Sequence, residues 1–96
     1  NVDEEPIAKF DFSLEQNYPN PFNPSTLIRF NLPKSSNVKL IVTDVLGNEV
    51  QTLADGFVSA GRHTTLFKGE GLSSGIYFYT LITDDSKISK KMTLLK

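Results

Sequence analysis

The residues able to do chemistry are few: one histidine, His63, no cysteine, and scattered hydroxyls and carboxylates among 96 residues. Without thiols there are no disulfides, thiolate metal sites or cysteine nucleophiles, and one imidazole cannot build a multi-histidine metal centre. Hydroxyl catalysis needs a base beside the nucleophile and a third group that orients the base. His63 instead alternates with Thr65 and Phe67, so it is expected on a sheet face as a structural residue. Gly69, Gly71 and Gly75 imitate a phosphate loop, but the dinucleotide fingerprint G-x-G-x-x-G joins a strand to a helix. Here the third glycine comes one position late and strand-like sequence follows it.

Asp84-Asp85, and Asp44 with Asn48, offer oxygen ligands, yet calcium takes about six to eight of them and no EF-hand spacing supplies that number. Acids in such turns are expected to cap their own backbone. Tyr77-Phe78-Tyr79 is expected to be core on both faces of a strand rather than a stacking platform for sugar or nucleic acid. Asn23-Pro24-Ser25 fails as a glycosylation sequon because proline holds its middle position. No catalytic residue, metal or cofactor is expected.

Composition narrows the partners. The net charge is −1 and 39% of the residues are hydrophobic, enough for one small domain with a core. A near-neutral chain lacks the broad basic field that nucleic-acid binding requires. The longest nearly unbroken apolar run, Ile76 to Ile82, is far short of the ~20 residues that cross a bilayer, so no membrane-spanning segment is expected. The charge is nonetheless uneven. Asp3, Glu4, Glu5, Asp11 and Glu15 face only Lys9 at the start, whereas Lys87, Lys90, Lys91 and Lys96 close the chain without an acid. The start lacks an initiating methionine and a signal peptide, as expected of a piece of a longer chain. Residues 1–12 read as an acidic linker from a parent protein, and residues 13–96 as the folded domain.

The elements that would position any site follow from a period of two. The stretch Asn17 to Thr26 holds Pro19, Pro21 and Pro24, which predicts polyproline-like backbone or an irregular edge, with Tyr18 and Phe22 as aromatic pegs against the domain. Ile28, Phe30 and Leu32 alternate with polar residues up to Pro33, and Lys34 to Asn37 is turn chemistry. Val38, Leu40 and Val42 make a second strand, and Asp44 to Asn48 a hairpin with Gly47 free to take positive φ. Glu49 to Ala54 returns with Val50 inward, Asp55-Gly56 and Ala60-Gly61 punctuate a connection, and His63 to Phe67 is a fourth strand. Tyr77, Tyr79 and Leu81 face opposite to Ile76, Phe78, Thr80 and Ile82, which predicts a central strand covered on both faces. Ile88, Lys90, Met92 and Leu94 share parity in a last strand that enters the core only from Met92, with lysines guarding an edge. The fold expected is all-β, an immunoglobulin-like antiparallel β-sandwich of about six to eight strands.

Leu14 to Thr26, with its core Asn17-Tyr18-Pro19-Asn20-Pro21-Phe22-Asn23-Pro24, resembles the opening motif of the type A C-terminal sorting domain of the type IX secretion system, found in Bacteroidetes and related phyla. The likeness continues through Val38-Lys39-Leu40, Asp44-Val45-Leu46-Gly47, Gly61-Arg62-His63-Thr64 and Leu72 to Tyr79, and closes on Lys90-Lys91-Met92-Thr93-Leu94-Leu95-Lys96. It covers the chain from about Phe12 to the end. Phe67-Lys68 stands where that family often has Trp-Asp or Trp-Asn, and Thr43 where it often has Tyr. The resemblance implies a non-catalytic tag at the end of an exported cargo protein. Its partners would be the outer-membrane secretion machinery, a surface sortase and the cargo domains of the same chain. The cargo would cross the periplasm of a Gram-negative bacterium and end at the cell surface or outside. The residues that the resemblance marks as the sorting motif are Asn17, Tyr18, Pro19, Asn20, Pro21, Phe22, Gly47, Gly75, Tyr77, Lys90, Lys91 and Lys96. A final strand with a free edge would pair with a receptor strand. An accessory carbohydrate-binding module, or a spacer domain of a secreted hydrolase, remains the alternative, because sandwiches host all three roles.

Overall fold

Alternating apolar residues turn one strand after another toward a shared interior, and seven strands result among residues 11–96, which the computed structural model describes. They are β1 (Ser13–Leu14), β2 (Ser25–Leu32), β3 (Ser36–Thr43), β4 (Glu49–Val58), β5 (Gly61–Lys68), β6 (Gly75–Thr83) and β7 (Lys87–Leu94). One sheet has the order β1-β2-β5 and the other β4-β3-β6-β7, with every strand pair antiparallel. The two form an all-β, immunoglobulin-like sandwich in which the fourth strand lies beside the third. The acidic leader expected over residues 1–12 falls, for residues 1–10, outside the described residues; Asp11 is exposed and Phe12 packs partly against the core.

The core is the set of inward residues on both sheets. Ile28, Phe30 and Leu32 on β2, Phe67 on β5, Val38, Leu40 and Val42 on β3, Tyr77, Tyr79 and Leu81 on β6, and Met92 and Leu94 on β7 are all buried. Phe67, at the position where the resembled family often has tryptophan, is fully buried, and its ring meets that of Phe22 edge-on, centroids 5.9 Å apart. On β7 Ile88 is half-buried and already packs against the core ahead of Lys90, so the strand touches the core before the expected entry at Met92, and full burial begins at Met92 and Leu94. Asp44 caps the β3–β4 hairpin: its carboxylate accepts from the amides of Leu46 and Asn48, each at 2.9 Å, and Gly47 takes φ +88°. These bonds, that from Asn48 first, hold the Asp44 carboxyl below its ordinary pKa.

Four local expectations need correction. Ser36 and Asn37 are not turn but the start of β3, because pairing with Val58 and Phe57 extends the ladder past the turn residues. β4 does not end at Ala54; it runs through Asp55-Gly56 to Val58, leaving only Ser59-Ala60 to cross to the other sheet. Its register slips twice, with Leu53 and Val50 each left without an opposite residue on β3, and both pack against the core. Two bulges break the period of two, which is why alternation is illegible there. β6 is central in its sheet but covered on one face alone: Ile76 is exposed and Phe78 and Ile82 are half-buried, since no second layer packs on that side among the described residues. Tyr18 is no peg. It is 78% exposed, because the chain alternates there and turns Asn17, 2% exposed, inward instead.

Candidate functional site

The proline-rich stretch forms the irregular edge of the two expected alternatives, a strap across the open side of the sandwich. All three of its Xaa-Pro bonds, at Pro19, Pro21 and Pro24, are cis. It leaves the first sheet at Glu15, whose amide donates to the Arg29 carbonyl at 2.9 Å. Tyr18 then exchanges backbone bonds with Leu27 at 3.0 and 2.9 Å, which keeps the strap beside β2. Farther along, Phe22 forms a parallel bridge with Leu94 of the other sheet. The strap therefore ties the edge of one sheet to the edge of the other.

Buried polar groups fix its path. The Tyr79 hydroxyl, inside the core, accepts from the Asn17 amide at 2.8 Å and donates to the Glu15 carbonyl at 2.7 Å. Burial disfavours the phenolate and pushes the Tyr79 pKa up to about 12, against the Asn17 bond, which lowers it. The Asn17 side-chain amide donates to the Pro19 carbonyl at 3.1 Å and to Thr26 Oγ1 at 3.0 Å, while the Thr26 hydroxyl donates to the same Pro19 carbonyl at 2.8 Å. Such closed sets matter because an unpaired buried polar group costs ~1–3 kcal/mol. Phe22 is the one true aromatic peg, 1% exposed. Gly69 is needed beside it: a Cβ there would lie 3.1 Å from the Pro24 carbonyl oxygen and 3.1 Å from Leu94 Cδ2.

The strap also closes much of the last strand's edge, which corrects the expectation of a free one. The Phe22 amide donates to the Thr93 carbonyl at 2.9 Å, and the Leu95 amide donates to the Phe22 carbonyl at 3.0 Å. The Thr93 amide donates to Asn20 Oδ1 at 3.0 Å, and Gln16 Nε2 donates to the Lys91 carbonyl at 2.8 Å. The Lys96 amide reaches Ser74 Oγ at 3.0 Å, so the tail is stitched down to its last residue. Prolines supply no amide to the edge, so the Gln16 side-chain amide donates in their place, while Asn20 Oδ1 supplies an acceptor for the Thr93 amide.

The structure thus brings together Asn17, Pro19, Asn20 and Phe22 of the strap with Lys91 and the backbone of the closing strand. Gly75 opens β6 opposite Leu94 with φ +149°, and the hydroxyl of Tyr77 donates to the Ser73 carbonyl at 2.7 Å in the loop that receives the tail. Tyr18, Pro19, Asn20 and Pro21 are exposed, as are Lys91 and Lys96, while Lys90 is half-buried. Gly47 belongs to the β3–β4 hairpin and not to this cluster. Tyr79, Thr26, Gln16 and Gly69 hold the strap, yet the expected motif omits them. Tyr79 shares the inward parity of Tyr77, and Tyr79, Gln16 and Thr26 all lie in the stretches that carry the resemblance, signals that could have found them.

The other constellations stay structural. His63 stacks on Phe30 with centroids 5.3 Å apart, and its Nε2 is 2.7 Å from the Ser59 carbonyl. Gly71-Leu72-Ser73-Ser74-Gly75 has the Gly-x-Ser-x-Gly spacing of a nucleophile elbow, but an elbow leads from a strand into a helix and this one leads into β6. Among the described residues no three His, Cys, Asp or Glu side chains converge as a metal site would require, and no helix is long and apolar enough to cross a membrane. An open depression of about 360 Å³ lies over Gly56, between Lys39, Asp55, Ile82 and Asp84, on the outer face of the four-stranded sheet.

Comparison with known proteins agrees with the geometry of strap and tail. A family model described as a secretion system C-terminal sorting domain matches residues 16–94, from the start of the strap to the last residue of β7. No curated protein matches the chain.

Proposed function

The chain belongs to the family of type IX secretion C-terminal sorting domains, and from that membership we propose that it acts as a folded passport read through the strap and the closing strand together. Membership supports a sorting signal for secretion and recognition by the type IX machinery. The finer reading concerns the surface that is recognised and the fate of the cargo afterwards. In this reading the receptor contacts Tyr18, Asn20 and Pro21 on the strap and Lys91 and Lys96 on the strand, and the buried Asn17, Phe22 and Tyr77 hold them in register. A sortase then cuts in the acidic leader ahead of the domain, and the cargo is attached at the surface or released. The domain itself performs no reaction.

One observation carries the proposal: the opening and closing motifs, some seventy residues apart, meet in four hydrogen bonds, three between strap and β7 and one from Leu95 just beyond it. A separate carbohydrate-binding role finds less support. Tyr77 and Tyr79 are buried, and the exposed aromatics Tyr18 and Phe57 sit on different sheets with no common platform.

Export of a fused reporter tests the reading. A periplasmic reporter carrying all 96 residues at its C-terminus is expected outside the cell in a strain with working secretion machinery and inside the periplasm in a strain without it. Reporter retained in both strains, while the host's own cargo leaves normally, overturns it.

A further inference from the structure

Hydrogen bonds close the edge of β7 only in its second half, and β1 passes beside the strand without bonding to it. Backbone groups of alternate residues point away from β6, and Thr93, whose amide and carbonyl both bond the strap, identifies the outward set as Lys87, Ser89, Lys91 and Thr93. The strap takes the Thr93 groups and the Lys91 carbonyl. Among the described residues nothing takes the amide and carbonyl of Ser89 or the amide of Lys91, and Lys87, Ser89 and Lys91 are all exposed. Unpaired edge groups are a template for an added strand.

The side chains restrict what can add. Lys87, Ser89 and Lys91 lie on the outer face of the sheet, as the outward partners of Ile82, Thr80 and Phe78 on β6. A second copy pairing antiparallel about Ser89 would set Lys87 against the other copy's Lys91 twice over, and like charges directly opposite are destabilising. An incoming strand with carboxylates four positions apart would instead face both lysines, with a small hydroxyl residue opposite Ser89. We propose that the open half-edge Lys87–Lys91 accepts an extended segment of another protein by strand addition, and that this segment carries acidic side chains at alternate outward positions on either side of a small polar one. The strap stops the addition at Lys91, so the docked segment is short and its register is fixed. This deepens the sorting reading by naming the chemistry of a partner, but it rests on the edge geometry and can fail separately.

A short capped peptide alternating valine with threonine and glutamate, its two glutamates four positions apart, is the probe. Titrated into the full chain, it is expected to shift the amide resonances of Lys87, Ser89 and Lys91 and to slow their hydrogen exchange. The same peptide with lysines for glutamates should bind about tenfold more weakly, the scale of two cross-strand attractions turned into repulsions. Ser89→Pro removes the central outward donor at a position where an edge strand tolerates proline, and should abolish the shifts in a domain whose melting curve shows it folded. The pair Lys87→Glu and Lys91→Glu leaves the edge open and should reverse the preference to the lysine peptide. Three results would each overturn the proposal: no shift at millimolar peptide, undiminished binding to folded Ser89→Pro, or Ser89 and Lys91 amides that exchange as slowly in the free chain as those of Met92 and Leu94. No peptide binding to the parent chain while reporter export persists sinks this inference and leaves the sorting reading standing; binding to the parent chain without export does the reverse.

Discussion

Replacing Tyr79 by phenylalanine deletes one oxygen atom from the centre of the molecule and tests whether the strap is held from beneath. The ring stays, so the apolar contacts of a fully buried side chain are kept. Two hydrogen bonds go, one from the Asn17 amide at 2.8 Å and one to the Glu15 carbonyl at 2.7 Å. They do not weigh equally. Asn17 is 2% exposed and its amide is left without a partner, whereas Glu15 is half-buried and its carbonyl can turn to water. The loss is therefore dominated by one orphaned buried donor, about 1–3 kcal/mol. For a domain of this size that lowers the melting temperature by several degrees to well over ten, at ~4–8 °C per kcal/mol. Urea unfolding of both proteins, with slopes compared, measures it. The same hydroxyl supplies a pH signature. Its folded pKa of about 12 lies above the ordinary value of 10.0, so the folded state holds a proton that the unfolded state has lost between those values. The stability contributed by the neutral phenol is whole below pH 10 and is lost as the pH rises through 12, a decline that Tyr79→Phe should lack. A midpoint within error of the parent at neutral pH, or an unchanged alkaline decline, would refute the assigned anchor.

Three further outcomes rest on the same contacts. Phe22→Ala empties a site 1% exposed against Phe67 and should cost about 3–5 kcal/mol in chemical denaturation, much of a small domain's total, whereas Tyr18→Ser, at a residue 78% exposed, should stay within ~0.5 kcal/mol and lower reporter export alone. Gly69→Ala drives a methyl against the Pro24 carbonyl and Leu94 and should destabilise by about 1–3 kcal/mol, with the fastest gain in hydrogen exchange at the Phe22 and Leu95 amides. Asp44 should titrate below its ordinary value in an NMR pH series; the stability it lends is present above the unfolded pKa and is lost as the pH falls through the lower folded one, and Asp44→Asn should flatten that acid limb.

What the sequence discloses and what it hides divide along a physical line. Strands with strict alternation are legible: Ile28, Phe30 and Leu32, or Val38, Leu40 and Val42, each have only one arrangement that buries every apolar side chain. β4 is not, because its two bulges put Val50 and Leu53 out of phase with any single period. The hairpin at Gly47 is legible from local chemistry alone. The strap is legible as an irregular edge but not in its detail, since its path is set by partners as far along the chain as Tyr79 and Thr93. Proline content says that a segment will not join a ladder in the ordinary way; it does not say which side chains substitute for the missing amides. Gln16 Nε2 does so here, with Asn20 Oδ1 accepting beside it, and neither has a local pattern to betray it. The expectation of a free edge on the last strand fails in its second half for the same reason, because what covers an edge there is a long-range fact.

In the proposed reading the tail is both core and signal, which sets the terms on which a receptor could bind it. Met92 and Leu94 are fully buried, and Leu95 and Lys96 are pinned by Phe22 and Ser74. A receptor that drew the last residues out as a loose peptide would first have to remove two core side chains, each worth ~2–5 kcal/mol by truncation, from a domain whose whole stability is ~5–15 kcal/mol. Unfolding of the tag would then be part of recognition. A receptor that binds the folded surface needs none of that: Tyr18, Asn20, Lys91 and Lys96 are already outside, on a strap anchored by the bond of Asn17 to Tyr79 and on a strand tied to that strap by Gln16 and Asn20. Deleting Lys87 to Lys96 cannot separate these cases, because it removes signal and core together. Substitutions confined to exposed Lys91 and Lys96 can, since they leave the core intact and change only what a folded-state receptor would touch.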